Sequence, residues 1–181
     1  MRSTVATIIP AVARILFVGG GARALVLAED LVGDGHAVRM TTRTAARRAA
    51  IVAAGAECWI GTPDRIASLR YALENVTIAC WLLGTATGPA RQIEALHGSR
   101  LDFFCSQTID TTVRGLLYEA AGCVDAGVLG AGADLLAAKA TYNEIPHAIL
   151  NTDPADLPGW VSTARVAIDG LLVADRPAPG G

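Results

Sequence analysis

Short apolar runs alternate along this chain with longer segments whose apolar positions recur every three or four residues. Residues 15–18 (I-L-F-V) form the first run. Ala24, Leu27, Ala28, Leu31 and Val32 then fall on one helical face, and glycines at 33 and 35 stop that helix. Residues 36–41 (H-A-V-R-M-T) predict a second strand. Thr44 caps a helix running to about residue 54, and residues 57–60 predict a short third strand. Thr62-Pro63-Asp64 reads as a helix start: a capping hydroxyl, proline at the first position and an acid in the first turn. The helix it predicts carries Ile66, Leu69 and Leu73 on its inner face. Residues 76–83 (V-T-I-A-C-W-L-L) are almost wholly apolar, as in a central parallel strand covered on both faces. Further helices are predicted over 90–97, 100–109, 133–143 and 160–173, with strands over 113–118 and 147–150. The glycine-rich segment 123–132 carries no periodic pattern.

Strands alternating with helices predict an α/β fold, with a parallel sheet, right-handed crossovers and helices on both faces. The turn between the first strand and first helix sharpens this. It reads Gly19-Gly20-Gly21-Ala22-Arg23-Ala24, the spacing G-x-G-x-x-A of the dinucleotide-binding fingerprint with alanine for its third glycine. Gly19 permits the tight turn, Gly21 lets backbone approach a pyrophosphate, and Ala24 is small enough for helix and strand to pack closely. The helix N-terminus beyond them suits phosphate. These features predict a Rossmann-type doubly wound sheet of strand order 3-2-1-4-5-6. The expected organisation is one domain over 14–174, with little or no substrate domain, an N-terminal extension over 1–13 and a disordered tail over 175–181.

Composition narrows the class. The chain has 181 residues, enough for one sizeable core, and 52% of them are apolar without a run of membrane-spanning length. A net charge of −2 offers no field for nucleic acid or an anionic membrane, so neither is expected as a partner. Cys58, Cys80, Cys105 and Cys123 are scattered, with no metal-ligand spacing; reduced thiols in the cytoplasm are expected, and no metal.

The end of the second strand decides between cofactors. An NAD site usually carries an acid there for the ribose 2′-hydroxyl, but this chain has Met40-Thr41-Thr42-Arg43. Arg43, with Arg47 or Arg48 in the next turn, suits the 2′-phosphate of NADP, so NADP(H) is favoured over NAD(H); the competing reading is a solvated basic face. Arg23, in the glycine turn, is a further candidate for this region. Gly84 and Thr85 follow the fourth strand at the carboxyl edge, beside the ribose or nicotinamide of a bound dinucleotide or in a plain loop.

Four segments in order, R-I-L-F-V-G-G-G-A-R-A, G-H-A-V-R-M-T-T-R, V-T-I-A-C-W-L-L-G and V-R-G-L-L-Y-E-A-A-G, resemble atypical short-chain dehydrogenase/reductase proteins of the NmrA-like and epimerase-like kind. The resemblance spans about residues 14–150. It implies a Rossmann fold and a nicotinamide cofactor, with Thr42-Arg43 matching an NADP-type second strand. It also implies a serine after the fifth strand and a tyrosine four residues before a lysine. Here Ala120 and Ala121 stand in place of serine, and Leu135 stands four residues before Lys139. No catalytic residue is therefore assigned.

Two substitutes remain. Lys139 and Tyr142 are helical neighbours, either a displaced pair or two surface residues. Glu119 is either a base at the carboxyl edge or a strand-end carboxylate facing solvent or capping the next loop. His36, His97 and His147 read as structural. Phe103 and Phe104 either contribute to a homodimer face or divide into one core and one exposed ring. The leading expectation is an NADP-binding protein without the standard catalytic set, a cofactor sensor or regulator. The alternatives are a minimal oxidoreductase or epimerase-like enzyme, and a fold used without cofactor.

Overall fold

A computed structural model describes residues 12–174. The predicted tail over 175–181 and nearly all of the predicted extension over 1–13 lie outside the described residues. At the start of the described chain, Ala13 is already buried, and its carbonyl accepts a hydrogen bond from Ala37 N.

Six parallel strands form one sheet in the order β3-β2-β1-β4-β5-β6, as the alternating pattern predicts. They are β1 (Arg14–Gly19), β2 (Ala37–Thr42), β3 (Glu57–Ile60), β4 (Ile78–Leu82), β5 (Gly115–Glu119) and β6 (His147–Leu150). The helices are α1 (Gly21–Gly33), α2 (Arg48–Ala53), α3 (Ala90–His97), α4 (Ser99–Thr108), α5 (Ala126–Tyr142) and α6 (Leu157–Ala174). Side chains alternate across each strand, so the sheet separates two cores. Ile15, Phe17 and Leu117 pack with Leu27 and Leu31 of α1 and Ile168 of α6. Leu16, Val18 and Leu116 pack on the other face with Phe104 of α4 and Leu136 of α5. Phe103, half exposed, and Phe104, buried, divide as the second of the two readings expects.

Two elements differ from the sequence pattern. Residues 62–73 form no α-helix; they make two short 3₁₀ turns, Ile66–Leu69 and Tyr71–Leu73. The Thr62 hydroxyl accepts from Asp64 N in a tight turn, and the Ser68 hydroxyl accepts from Thr62 N at 2.9 Å. The Ser68 carbonyl, which an α-helix would need, accepts from the Trp59 indole at 2.8 Å instead. Side-chain donors have outcompeted the helical ladder. Conversely, α5 extends back into the glycine-rich stretch. Asp125 caps it, accepting from Gly127 N and Val128 N, and Gly132 leaves room for the Tyr118 hydroxyl of β5. Of the glycines that hid the helix in the sequence, Gly132 is the one that lets it lie against the sheet.

Among the described residues, no helix is long and apolar enough to cross a membrane.

Candidate functional site

β1 and β4 are adjacent, yet their connections leave toward opposite sides, so a crevice opens beyond their carboxyl ends. The glycine turn forms its floor. Gly19, Gly20 and Gly21 all have positive φ, of 83°, 96° and 57°. A Cβ on Gly19 would lie 2.8 Å from the Leu82 carbonyl oxygen, whereas one on Gly21 would meet only an Arg23 nitrogen, 3.7 Å away. Gly19 is thus demanded by packing, and Gly21 presents bare backbone to open space. The first turn of α1 has no acidic residue and no side-chain cap, and its leading N–H groups lack intrahelical partners. Ala24 is fully buried and closes the helix onto the sheet.

From this turn a groove of about 390 Å³ runs toward β2, lined by Gly19, Thr41, Thr42, Arg43, Arg47 and Leu83 among others. The Thr42 hydroxyl donates to the Thr44 carbonyl at 3.0 Å and so sets the course of the chain into Arg43. Arg43 is largely exposed, its guanidinium 3.6 Å from Asp64 Oδ2. Asp64 is also paired with Arg100. Arg43 and Arg47 both reach the groove, while Arg48 is not part of its wall. A larger groove, of about 560 Å³, lies at the amino ends of β4 and β5, lined by Arg70, Asn75, Gln107 and Thr112 among others. Open α/β sheets bind ligands at the carboxyl ends, and the glycine turn and arginines are there.

The other half of the crevice is built differently, and here two sequence readings are corrected. Arg23 does not reach toward Arg43. It crosses toward β5, where Nε donates to Glu119 Oε1 at 2.9 Å and Nη2 to Oε2 at 2.7 Å, while Nη1 donates to the Thr85 hydroxyl at 3.0 Å. Glu119 does not face solvent; it is fully buried. Its carboxylate accepts two further bonds, from Gly84 N at 2.8 Å and from Trp160 Nε1 at 2.8 Å. The Arg23 guanidinium carbon also lies 5.2 Å from the centre of a Trp160 ring. The cause is electrostatic: a carboxylate buried at a strand end takes every donor in reach. Beside this hub the β4 and β5 loops touch backbone to backbone. A Cβ on either Gly84 or Gly122 would collide with the opposite chain, and Val124 N donates to the Gly84 carbonyl at 3.1 Å.

On the opposite face of β5, Tyr118 points into the α3–α5 core, as strand alternation requires. Its hydroxyl lies 2.7 Å from His97 Nδ1, and His97 Nε2 is 3.2 Å from the Leu83 carbonyl. The carbonyl accepts only from an N–H, so Nε2 carries the proton and Nδ1 accepts from tyrosine. Burial holds His97 below its usual pKa, opposed by the Leu83 carbonyl. Burial also pushes the Tyr118 phenol up, with Glu119 as a second cause. Lys139 does not pair with Tyr142: it lies 3.0 Å from Asp102 Oδ1 and donates to the Ser106 hydroxyl, while Tyr142 is 88% exposed. The displaced-pair reading falls. No group of three or more possible metal ligands occurs among the described residues.

The fold is that of short-chain dehydrogenase/reductase and epimerase enzymes, as the resemblance implied. A UDP-glucose 4-epimerase from Thermotoga maritima superposes with a TM-score of 0.64 at 11% identity, over 76% of this chain and 54% of the epimerase. A short-chain dehydrogenase/reductase superfamily protein from Agrobacterium tumefaciens with bound NAD gives 0.63 at 15% identity, over 76% and 48%. A Bordetella bronchiseptica enzyme in complex with NAD gives 0.61 at 16%, over 78% and 53%. The chain thus spans about half the length of the solved structures it matches. No protein-family model and no curated protein matches its sequence.

Proposed function

We propose that this chain binds a dinucleotide of the NADP(H) class at the carboxyl edge of its sheet, as a cofactor sensor or regulatory protein related to the NmrA-like group. The observation that carries this reading is the groove running from Gly19 of the glycine turn to Arg43 and Arg47. Its chemistry suits the ligand. Gly21, Ala22 and the first turn of α1 face a pyrophosphate with N–H groups and no side-chain carboxylate. Arg43 and Arg47 offer guanidinium groups to a 2′-phosphate, with Thr42 fixing the backbone between strand and arginine. Two of the similar structures are described with NAD, which supports the dinucleotide class.

A bound nicotinamide would supply hydride chemistry. The residues at the edge of β5 argue for binding over turnover, because Glu119 is already engaged by Arg23, Gly84 N and Trp160. Four unpaired cysteines fit a reducing compartment, which favours the cytoplasm. Phe103, exposed on α4, is the side chain a homodimer through that face would cover.

The reading is tested by titrating the protein with NADPH and NADH, followed by calorimetry. NADPH is expected to bind more tightly, and Arg43→Ala to remove the difference. Failure of both dinucleotides to bind refutes the proposal.

A further inference from the structure

The two halves of the crevice differ in a way that bears on which part of a nucleotide is read. Toward β2 there is an open groove of about 390 Å³, near the small end of ligand sites and about the size of one nucleotide. Toward β5 the ground is taken. Glu119 and Trp160 have no exposed surface, and the Arg23 side chain keeps only 10% of its own. Gly84 N donates to Glu119, and the β4 and β5 loops abut behind it. A ligand settling against β5 must break a bidentate ion pair that is out of water, and any new contacts have to offset that loss first.

Resting on the NADP-class reading above, we infer that the site holds only the nucleoside-bisphosphate half of the ligand, and that the Arg23–Glu119 pair keeps the nicotinamide half from docking. The groove supplies arginines for a sugar phosphate and the apolar walls of Leu83 and Leu96 for a base, and it begins at Gly19, two residues before the open backbone of Gly21, which suits the bridging phosphate. NADP⁺ and NADPH differ only in the nicotinamide ring. A site that leaves this ring in solvent registers how much cofactor is present and ignores its oxidation state. Any adenosine bisphosphate with the same phosphates competes on equal terms.

Calorimetric titration at one fixed ionic strength tests this with four probes: adenosine 2′,5′-bisphosphate, NADP⁺, NADPH and nicotinamide mononucleotide. The bisphosphate, NADP⁺ and NADPH are expected to agree within about tenfold, and nicotinamide mononucleotide to show no binding at millimolar concentration. In Arg23→Met/Glu119→Gln, which removes the pair without leaving a lone buried charge, NADPH should tighten relative to the bisphosphate. If that variant does not fold, the wild-type comparison decides by itself. Either dinucleotide binding more than about tenfold tighter than the bisphosphate overturns the inference while leaving the NADP-class reading intact. Absence of binding by all four probes overturns both.

Discussion

The guanidinium of Arg23 and the carboxylate of Glu119, 96 positions apart, meet in two hydrogen bonds of 2.9 and 2.7 Å beneath the carboxyl edge of the sheet. Removing one member leaves the other buried without its partner. Arg23→Met is therefore expected to cost about 3–5 kcal/mol of folding stability, measured by urea denaturation. Adding Glu119→Gln should recover part of that loss, giving a coupling above about 1 kcal/mol in the double-mutant cycle. A loss below about 1 kcal/mol for the single variant would mean that solvent reaches the pair.

Asp64 sits between two arginines, 3.6 Å from Arg43 and in closer contact with Arg100. Its negative charge opposes a phosphate approaching Arg43. Asp64→Asn is expected to strengthen NADPH binding by roughly twofold to fivefold, with NADH little changed. Arg43→Ala should weaken NADPH by roughly tenfold or more, the worth of a hydrogen bond to a charged group, and leave NADH within about twofold. Equal loss for both ligands would assign Arg43 to the exposed basic face.

His97 is buried and held below its usual pKa by that burial. A base whose folded pKa is depressed binds its proton more readily in the unfolded chain. Stability from this group is therefore complete above about pH 6.5, the ordinary histidine value, and is lost as pH falls below it toward the folded pKa. Urea denaturation at pH 7.5 and 5.5 should show a larger fall for the wild type than for His97→Gln. The same fall in both proteins would rule out His97 as the source.

The four thiols should separate by accessibility. Cys123 is exposed, Cys58 is partly buried, and Cys80 and Cys105 are buried. Burial pushes the Cys105 thiol up to about 12, assisted by Asp102, and raises Cys80 as well. A thiol reagent at pH 8 is expected to label Cys123 rapidly and Cys58 more slowly. Cys80 and Cys105 should react only when denaturant is added. Rapid labelling of all four would contradict the packing of both cores.

The elements best read from the sequence are those whose pattern is local. The apolar run Ile15–Val18 and the glycines after it predict β1, its turn and α1, because strand burial and positive φ select residue types within a few positions. The same holds for the parallel order, which follows from alternating elements. The 3₁₀ turns after Thr62 were hidden because Trp59 and Ser68 divert a helical start through side-chain bonds that no propensity encodes. The start of α5 was hidden by its glycines, of which Gly132 serves the packing against Tyr118. The aim of Arg23 was hidden for a third reason: its partner lies on β5, beyond β4, and meets it only once the sheet is assembled. The order 3-2-1-4-5-6, with one charged residue in the first turn of α1 and another at the end of β5, was the available signal.

Trp160 belongs to α6, and its indole N–H completes the ring of donors around Glu119. A ribosome therefore delivers Arg23 and Glu119 to the growing chain well before the final donor emerges. Until α6 folds back onto the sheet, the carboxylate has one wall of its enclosure missing and water in its place. Assembly of this edge thus waits on α6: the first turn to be made is sealed only after a helix more than a hundred residues later has docked.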